Sequence, residues 1–521
     1  MSYLLGIDVG TTGSKALLAG TDGAVKASAT AEYPMFTPQP LWAEQNPADW
    51  WAATVTSIRR VLKEGGVGPG QVAGVGLTGQ MHGLVLLGAD GEVLRPCIMW
   101  NDQRTAAECA AITKEVGPKK VLQLTGNPVL PGFTAPKVAW VREHEPQVYE
   151  RVAKVLLPKD YVRYRLTGGF FSEVSDASGT SMFDVGRRKW SEEMLMALDV
   201  PREWLPEVTE SPVVSAHVSA SAAAETGLLQ GTPVVGGGGD QAAQAVGTGT
   251  IAEGVVSATL GTSGVVFAAS EAYRMEPEGR LHAFCHAVPG TWHLMGVMLS
   301  AAGSFRWYRD AVGDLERAQA AESGRDAYDL LTEAAAGVPP GCEGLLFLPY
   351  LSGERTPYPD PNARGVFFGL TLQHRKAHLT RAVLEGVTYG LRDSLELMRT
   401  LGLSIEQVRA SGGGARSPLW RQILADVFDT EIVTVNVTEG AAYGAALLAG
   451  VGAGAYPGVA KACEAAIRVT GRTEPGPAVA AYTDYYPRYR ALYPALAPEF
   501  EAIARVVSKR LVAAGVESLR H

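Results

Sequence analysis

Leu4-Leu5-Gly6-Ile7-Asp8-Val9-Gly10-Thr11-Thr12-Gly13-Ser14-Lys15-Ala16-Leu17-Leu18-Ala19 is the stretch that decides the fold. An apolar run ends in an acid, the turn Gly10-Thr11-Thr12-Gly13 follows, a second apolar run returns, and Asp22-Gly23 turns the chain again before Val25. This reads as strand, turn, strand. It lacks the Gly-Lys-Ser/Thr signature of a Walker-type loop, so its backbone amides are offered to phosphate from a hairpin. The pattern returns in the other half, where Val255 to Leu260 leads into Gly261-Thr262-Ser263-Gly264 and out along Val265-Val266-Phe267. Two such hairpins predict a duplicated architecture, with a boundary between Gly247 and Gly254 and domains at 1–247 and 248–521.

The 521 residues are enough for more than one core. Between the hairpins, short apolar runs (Val72 to Leu77, Leu84 to Leu87, Val155 to Leu157, Pro233 to Val235) alternate with helical patterns such as Pro47 to Lys63, which argues for α/β lobes with sites at strand ends. With 46 Lys+Arg against 54 Asp+Glu the net charge is -8, and no basic run tracks a phosphodiester backbone, so nucleic acid is not an expected partner. The N-terminus shows no signal-peptide pattern, and no apolar run is long enough to cross a membrane. The five cysteines, Cys97, Cys109, Cys285, Cys342 and Cys463, form no CxxC. A cytoplasmic protein without membrane association is the expectation.

Five groups of residues carry candidate chemistry. Asp8, ending the first strand, is placed to hold Mg²⁺ through water beside a triphosphate, with Thr11, Thr12 and Lys15 as phosphate contacts; an ordinary turn aspartate and a solvated lysine are the alternatives. In Gly236-Gly237-Gly238-Gly239-Asp240-Gln241 a carboxylate follows a strand and four glycines, suited to accepting a hydroxyl proton; a flexible linker with a helix-capping Asp240 reads equally well. Gly79-Gln80-Met81-His82-Gly83 sets polar groups in a turn at a sheet edge, and Trp100 to Arg104 joins an aromatic wall to hydroxyl-binding groups, or else is a buried tryptophan beside a surface ion pair. Ser411-Gly412-Gly413-Gly414-Ala415-Arg416 opens the helix Pro418 to Phe428, an arrangement suited to a nucleotide. His282, Cys285, His286 and His293 look like a metal set, but a hairpin through Pro289-Gly290 sends His282 and Cys285 to opposite faces, and core packing is the expectation.

Taken together and in order, GIDVGTTGSK, GQMHG, GGGGDQ, TLGTSG and SGGGAR resemble the FGGY family of carbohydrate kinases over nearly the whole chain. More narrowly, LRPCIMWNDQR, PGFTAPK, LLPKDY, the segment Ser175 to Thr180, LPYLSGERTP and GGGARSPLWRQILAD are similar to the xylulose kinases within it. The resemblance implies two actin-like, ribonuclease H-like lobes with the active site in the interlobe cleft. It implies phosphorylation of D-xylulose by ATP with Mg²⁺ as cofactor. It implies Asp240 as general base, Asp8 as the Mg²⁺-linked acid, and Met81 and His82 as the sugar-contacting pair. Trp100, Asp102 and Gln241 join the sugar site by neighbourhood. Thr11, Thr12, Gly261 and Thr262 match the phosphate turns, and Gly413, Gly414 and Ala415 the adenosine loop. A loose transition state needs only an aspartate of ordinary basicity, and a homodimer is expected. Other acceptors, ribulose, glycerol or gluconate, and an actin-like ATPase without a small-molecule acceptor are the competing readings; the latter has no need of GQMHG and GGGGDQ. Residues 313–337 match no pattern of the family.

Overall fold

Leu4, Leu5, Ile7 and Val9 are all buried, as in a strand covered on both faces, so the opening apolar run folds as β1 (Tyr3–Val9) at the centre of a sheet. It pairs antiparallel with β2 (Gly13–Gly20), Asp8 opposite Lys15, and β2 pairs with β3 (Val25–Glu32). The computed structural model describes residues 2–437 and 439–513. Asn46 caps α1 (Pro47–Gly65), and Gly66, left-handed at φ 63°, ends it. Trp50, Trp51, Ile58, Val61 and Leu62 of α1 share a core with Leu5, Ile7 and Leu18, each large side chain contributing roughly 1.5–3 kcal/mol.

The chain then enters β4 (Val72–Gly79), parallel to β1 with Thr78 opposite Asp8. After α2 (Thr134–His144) and α3 (Pro158–Thr167) come β5 (Val214–His217), β6 (Pro233–Val235) and β7 (Gly238–Gly239), which lead into α4 (Asp240–Thr248). The strand order is β5-β6-β4-β1-β2-β3, with β7 beside β4. Between β6 and β7 the ladder breaks at Gly237, whose φ of 71° and closeness to the Leu77 carbonyl leave no room for a side chain.

A second compact unit repeats this plan. β8 (Gly254–Leu260) pairs antiparallel with β9 (Gly264–Ser270). Past α5 (Ala302–Val312), α6 (Ala327–Ala336) and α7 (Lys376–Thr400), β10 (Ile405–Ser411) lies parallel to β8 with Ser411 opposite Thr259. After α8 (Pro418–Phe428), β11 (Glu431–Val435) runs parallel to β10, and β12 (Val469–Thr473) runs antiparallel to β11. The succession β9-β8-β10-β11-β12 repeats β2-β1-β4-β6-β5 in pairing sense, so the duplicated turns mark a duplicated topology. Thr259 occupies in the second copy the register position that Asp8 holds in the first.

The units are not contiguous in sequence. Residues 269–293 and 436–468 belong with the first, and 253–268, 294–435 and 469–513 belong with the second. The cause is α9 (Gly440–Gly452), whose Ala442, Tyr443, Ala446 and Ala449 pack with Leu4, Leu17, Ala19 and Val235. The Tyr443 hydroxyl donates to the Gly23 carbonyl at 2.6 Å. This helix closes a sheet face that the first 247 residues leave open. The five cysteines are buried free thiols, and no helix among the described residues is long and apolar enough to cross a membrane.

Candidate active site

Asp8, Thr78 and Gly238 stand in register across β1, β4 and β7. The segments that leave these strands, Val9-Gly10, Gln80-Met81-His82 and Gly239-Asp240, therefore emerge at one sheet edge, beyond the carboxyl ends of parallel strands, where α/β folds bind ligands. Asp240 is the first residue of α4 rather than part of a linker, and the backbone N–H of Gln241 donates to its carboxylate at 2.7 Å. Met81 packs beneath the same loop: a Cβ on Gly239 would stand 2.9 Å from its sulfur.

His82 is held in the left-handed region at φ 69°, and its Nδ1 lies 2.7 Å from the Gly179 carbonyl oxygen. Its ring stacks on Phe133 with centroids 4.5 Å apart. Two donors fix its carbonyl, Thr134 Oγ1 at 3.1 Å and Lys137 Nζ at 2.9 Å. Lys137 is wholly buried, and that burial brings its ammonium down to about 7.

The two acids are half-buried. Burial, then the neighbouring Asp8, raises Asp240 to about 7, and burial raises Asp8 to about 6 against the pull of Lys15. The base candidate is therefore more basic than an ordinary aspartate, beyond what a loose transition state requires. Two neighbouring carboxylates whose charge is disfavoured form an oxygen donor set that fits a hard divalent cation such as Mg²⁺, which Asp8 could hold.

The first glycine-threonine turn, residues 10–13, is braced by side chains. Tyr33 Oη donates to the Gly10 carbonyl at 2.6 Å, Gln80 Nε2 to the same carbonyl at 3.3 Å, and Gln45 Nε2 to that of Thr11 at 2.7 Å. Thr12 is exposed. Lys15 is ion-paired with Glu439, so its charge is shared rather than free for phosphate. Trp100 is 42% exposed beside the turn, and its indole N–H donates to Thr11 Oγ1 at 3.1 Å.

Asp102 is corrected as a sugar-binding group. It is fully buried, and its oxygens are taken by Arg104 (2.7 Å to Nη2) and the backbone N–H of Ala43 (2.7 Å). The pairing is the reverse of the bland alternative, with an exposed tryptophan beside a buried ion pair. His282, Cys285, His286 and His293 are buried in the core as expected, and burial lowers His286 to about 4.

In the second unit the turn after β8 is anchored through its carbonyls: Ala302 N–H donates to Gly261 and Ala301 N–H to Thr262, both at 2.9 Å. A cavity of about 520 Å³ lies in this unit, of a size for a nucleoside. Phe305, Tyr328 and Trp420 supply apolar wall, and Gly413 and Gly414 line it where the chain enters α8. Ala415 is buried and is not part of that wall; its carbonyl accepts from Arg421 Nη1 at 2.7 Å. Asp326, Tyr328, Asp329 and Thr332 come from the 313–337 stretch that carries no family pattern, so nothing in the motifs pointed to them. Thr134 and Lys137 were also missed, although the PGFTAPK motif contains both.

Comparison with known proteins agrees with this architecture. The model of the FGGY family of carbohydrate kinases, N-terminal domain, matches residues 3–247, and that of the C-terminal domain matches 256–453. A xylulose kinase of Escherichia coli (strain K12) is 44% identical over 86% of this chain and 90% of its own length. One from Klebsiella pneumoniae is 45% identical over 86% of this chain and 89% of its own. The crystal structure of xylulose kinase from Rhodospirillum rubrum, 32% identical, superposes with a TM-score of 0.88 over 96% of this chain and 100% of that one.

Proposed function

Because the chain belongs to the FGGY family of carbohydrate kinases, we propose that it transfers the γ-phosphoryl group of ATP to D-xylulose, giving D-xylulose 5-phosphate, with Asp240 as general base. The observation that carries this reading is the convergence of Asp8, Met81-His82 and Asp240 at one sheet edge. A nucleotide-driven structural ATPase has no use for a half-buried base beside a left-handed histidine.

In this reading Asp240 hydrogen-bonds the terminal hydroxyl of the ketose and orients its oxygen for in-line attack. The proton moves to the carboxylate late, once the bond between the γ-phosphorus and ADP is largely broken. Met81 and His82 hold the sugar so that the attacking oxygen stays at near-attack distance, and the exposed face of Trp100 gives its carbon edge an apolar wall. Thr11, Thr12, Gly261 and Thr262 offer amides and hydroxyls to the phosphates, and the Gly413-Gly414 cavity takes the nucleoside. Mg²⁺ held through Asp8 supplies positive charge to the triphosphate.

Asp240 must be unprotonated to act. With its carboxyl raised to about 7 in the free protein, kcat/KM for xylulose should fall as pH drops below about 7 and level off above it. A pH series on the wild type tests this, and a flat profile down to pH 5 contradicts it.

Acceptor choice rests on few contacts, so the direct test of the substrate is ADP release with ATP and Mg²⁺ across a panel of xylulose, ribulose, glycerol and gluconate. Xylulose should give the highest kcat/KM, and a higher value for another member would reassign the acceptor.

A further inference from the structure

Behind the loop that carries Asp240 lies a cluster of charged side chains fully removed from solvent: Lys159, Asp160, Arg163, Glu173 and Asp176. Lys159 Nζ lies 2.6 Å from Asp160 and 3.0 Å from Asp176, and Glu173 Oε1 is 3.7 Å away. Buried ion pairs are weak sources of stability, since desolvation offsets their attraction. What this cluster does with its remaining hydrogen-bonding capacity is specific.

Residues 235–237 leave the sheet where Gly237 breaks the ladder, and side chains and loop backbone from outside take over their polar groups. Arg163 donates to the carbonyls of Val235, at 3.1 Å, and Gly236. The Gly236 and Gly237 N–H groups go to the carbonyls of Val213 and Ser211 at 2.9 Å. Ser175 Oγ accepts from the Gly239 N–H at 3.0 Å and donates to Glu173 Oε1 at 2.9 Å. Glu173 Oε2 in turn accepts from Ser211 Oγ at 2.9 Å and from the Ser175 N–H at 2.7 Å. The bonds from Arg163, Ser175, Val213 and Ser211 meet the backbone of residues 235–239, within five residues of Asp240.

We propose that the buried cluster is a positioning device for the phosphoryl-transfer reaction, in which Arg163 and Ser175 fix the Val235–Gly239 backbone and so set where the Asp240 carboxylate stands. The inference rests on Asp240 being the base. Burial raises the Asp176 carboxyl to about 8, which favours its neutral form and lessens the negative charge facing Lys159 and Arg163. A dry site whose Arg163 and Ser175 are tied to the loop backbone resists rearrangement when substrate arrives, which is what a base that must stay in line with a hydroxyl requires.

Two serines of the same cluster separate positioning from stability. Ser175 bonds the loop, whereas Ser172, equally buried, donates to Asp160 Oδ2 at 2.6 Å and does not bond it. Ser175→Ala should lower kcat by roughly tenfold or more, with KM for xylulose and for ATP within about threefold, because a misplaced base loses rate before binding. Ser172→Ala should show a comparable fall in melting temperature with kcat within about threefold of wild type. The proposal is overturned if Ser175→Ala keeps wild-type kcat, or if the two variants lose kcat equally. Asp240→Asn run beside them tells the two failures apart: if that variant turns over normally, the base assignment falls; if it is inactive while Ser175→Ala is not, only the positioning falls.

Discussion

Asp240→Asn is expected to lower turnover by at least ~10²-fold while xylulose affinity stays within an order of magnitude, since the amide keeps the shape of the carboxylate but accepts no proton. The same variant should be no less stable than the wild type at neutral pH. A carboxyl whose pKa is raised by folding, here to about 7, costs stability at every pH above its unfolded value, and that cost grows until pH passes the folded pKa. Asparagine carries no charge and avoids it. Steady-state kinetics and thermal melts at pH 7.5 check both halves. Near-normal turnover removes Asp240 from the role of base, and a collapse in melting temperature makes the residue structural.

The second large effect is expected at His82. Because its backbone is left-handed at φ 69°, alanine would confound loss of the ring with strain, whereas asparagine tolerates that region. His82→Asn should cost on the order of 1 to 3 kcal/mol in kcat/KM for xylulose, with KM for ATP nearly unchanged. Loss of thermal stability together with ATP binding would instead assign the imidazole, stacked on Phe133 and bonded to Gly179, to the core.

The features legible in the sequence were those set by neighbours along the chain. The two hairpins could be read because glycine-threonine turns between apolar runs have one conformational reading, and their recurrence exposed the duplication. Asp8, Met81-His82 and Asp240 stand out because each lies at or just past the end of a strand. What escaped depends on partners far away in sequence. Lys15 reads as a phosphate contact or a solvated strand lysine, and only the fold brings Glu439 to it. Asp102 reads as part of the sugar site or of a surface ion pair because nothing local announces that Ala43, far off in sequence, will help enclose its pair with Arg104. The helix Gly440–Gly452, rich in alanine and glycine, has no polar face to orient it, so its return to the first unit left no trace in the pattern. The cavity wall from Asp326 to Thr332 is a segment whose place is set by packing against α7 and α5 rather than by any motif. The raised basicity of Asp240 arises from burial and from Asp8, both of which belong to the folded site.

The measurement that bears most directly on the central claim is identification of the product made by the purified protein from ATP, Mg²⁺ and D-xylulose, read by ³¹P NMR. Transfer to the sugar predicts a phosphomonoester resonance coupled to the C5 methylene protons, growing in step with ADP. Inorganic phosphate as the only product besides ADP, formed at the same rate with and without xylulose, would contradict it and mark the chain as an ATPase without a sugar acceptor.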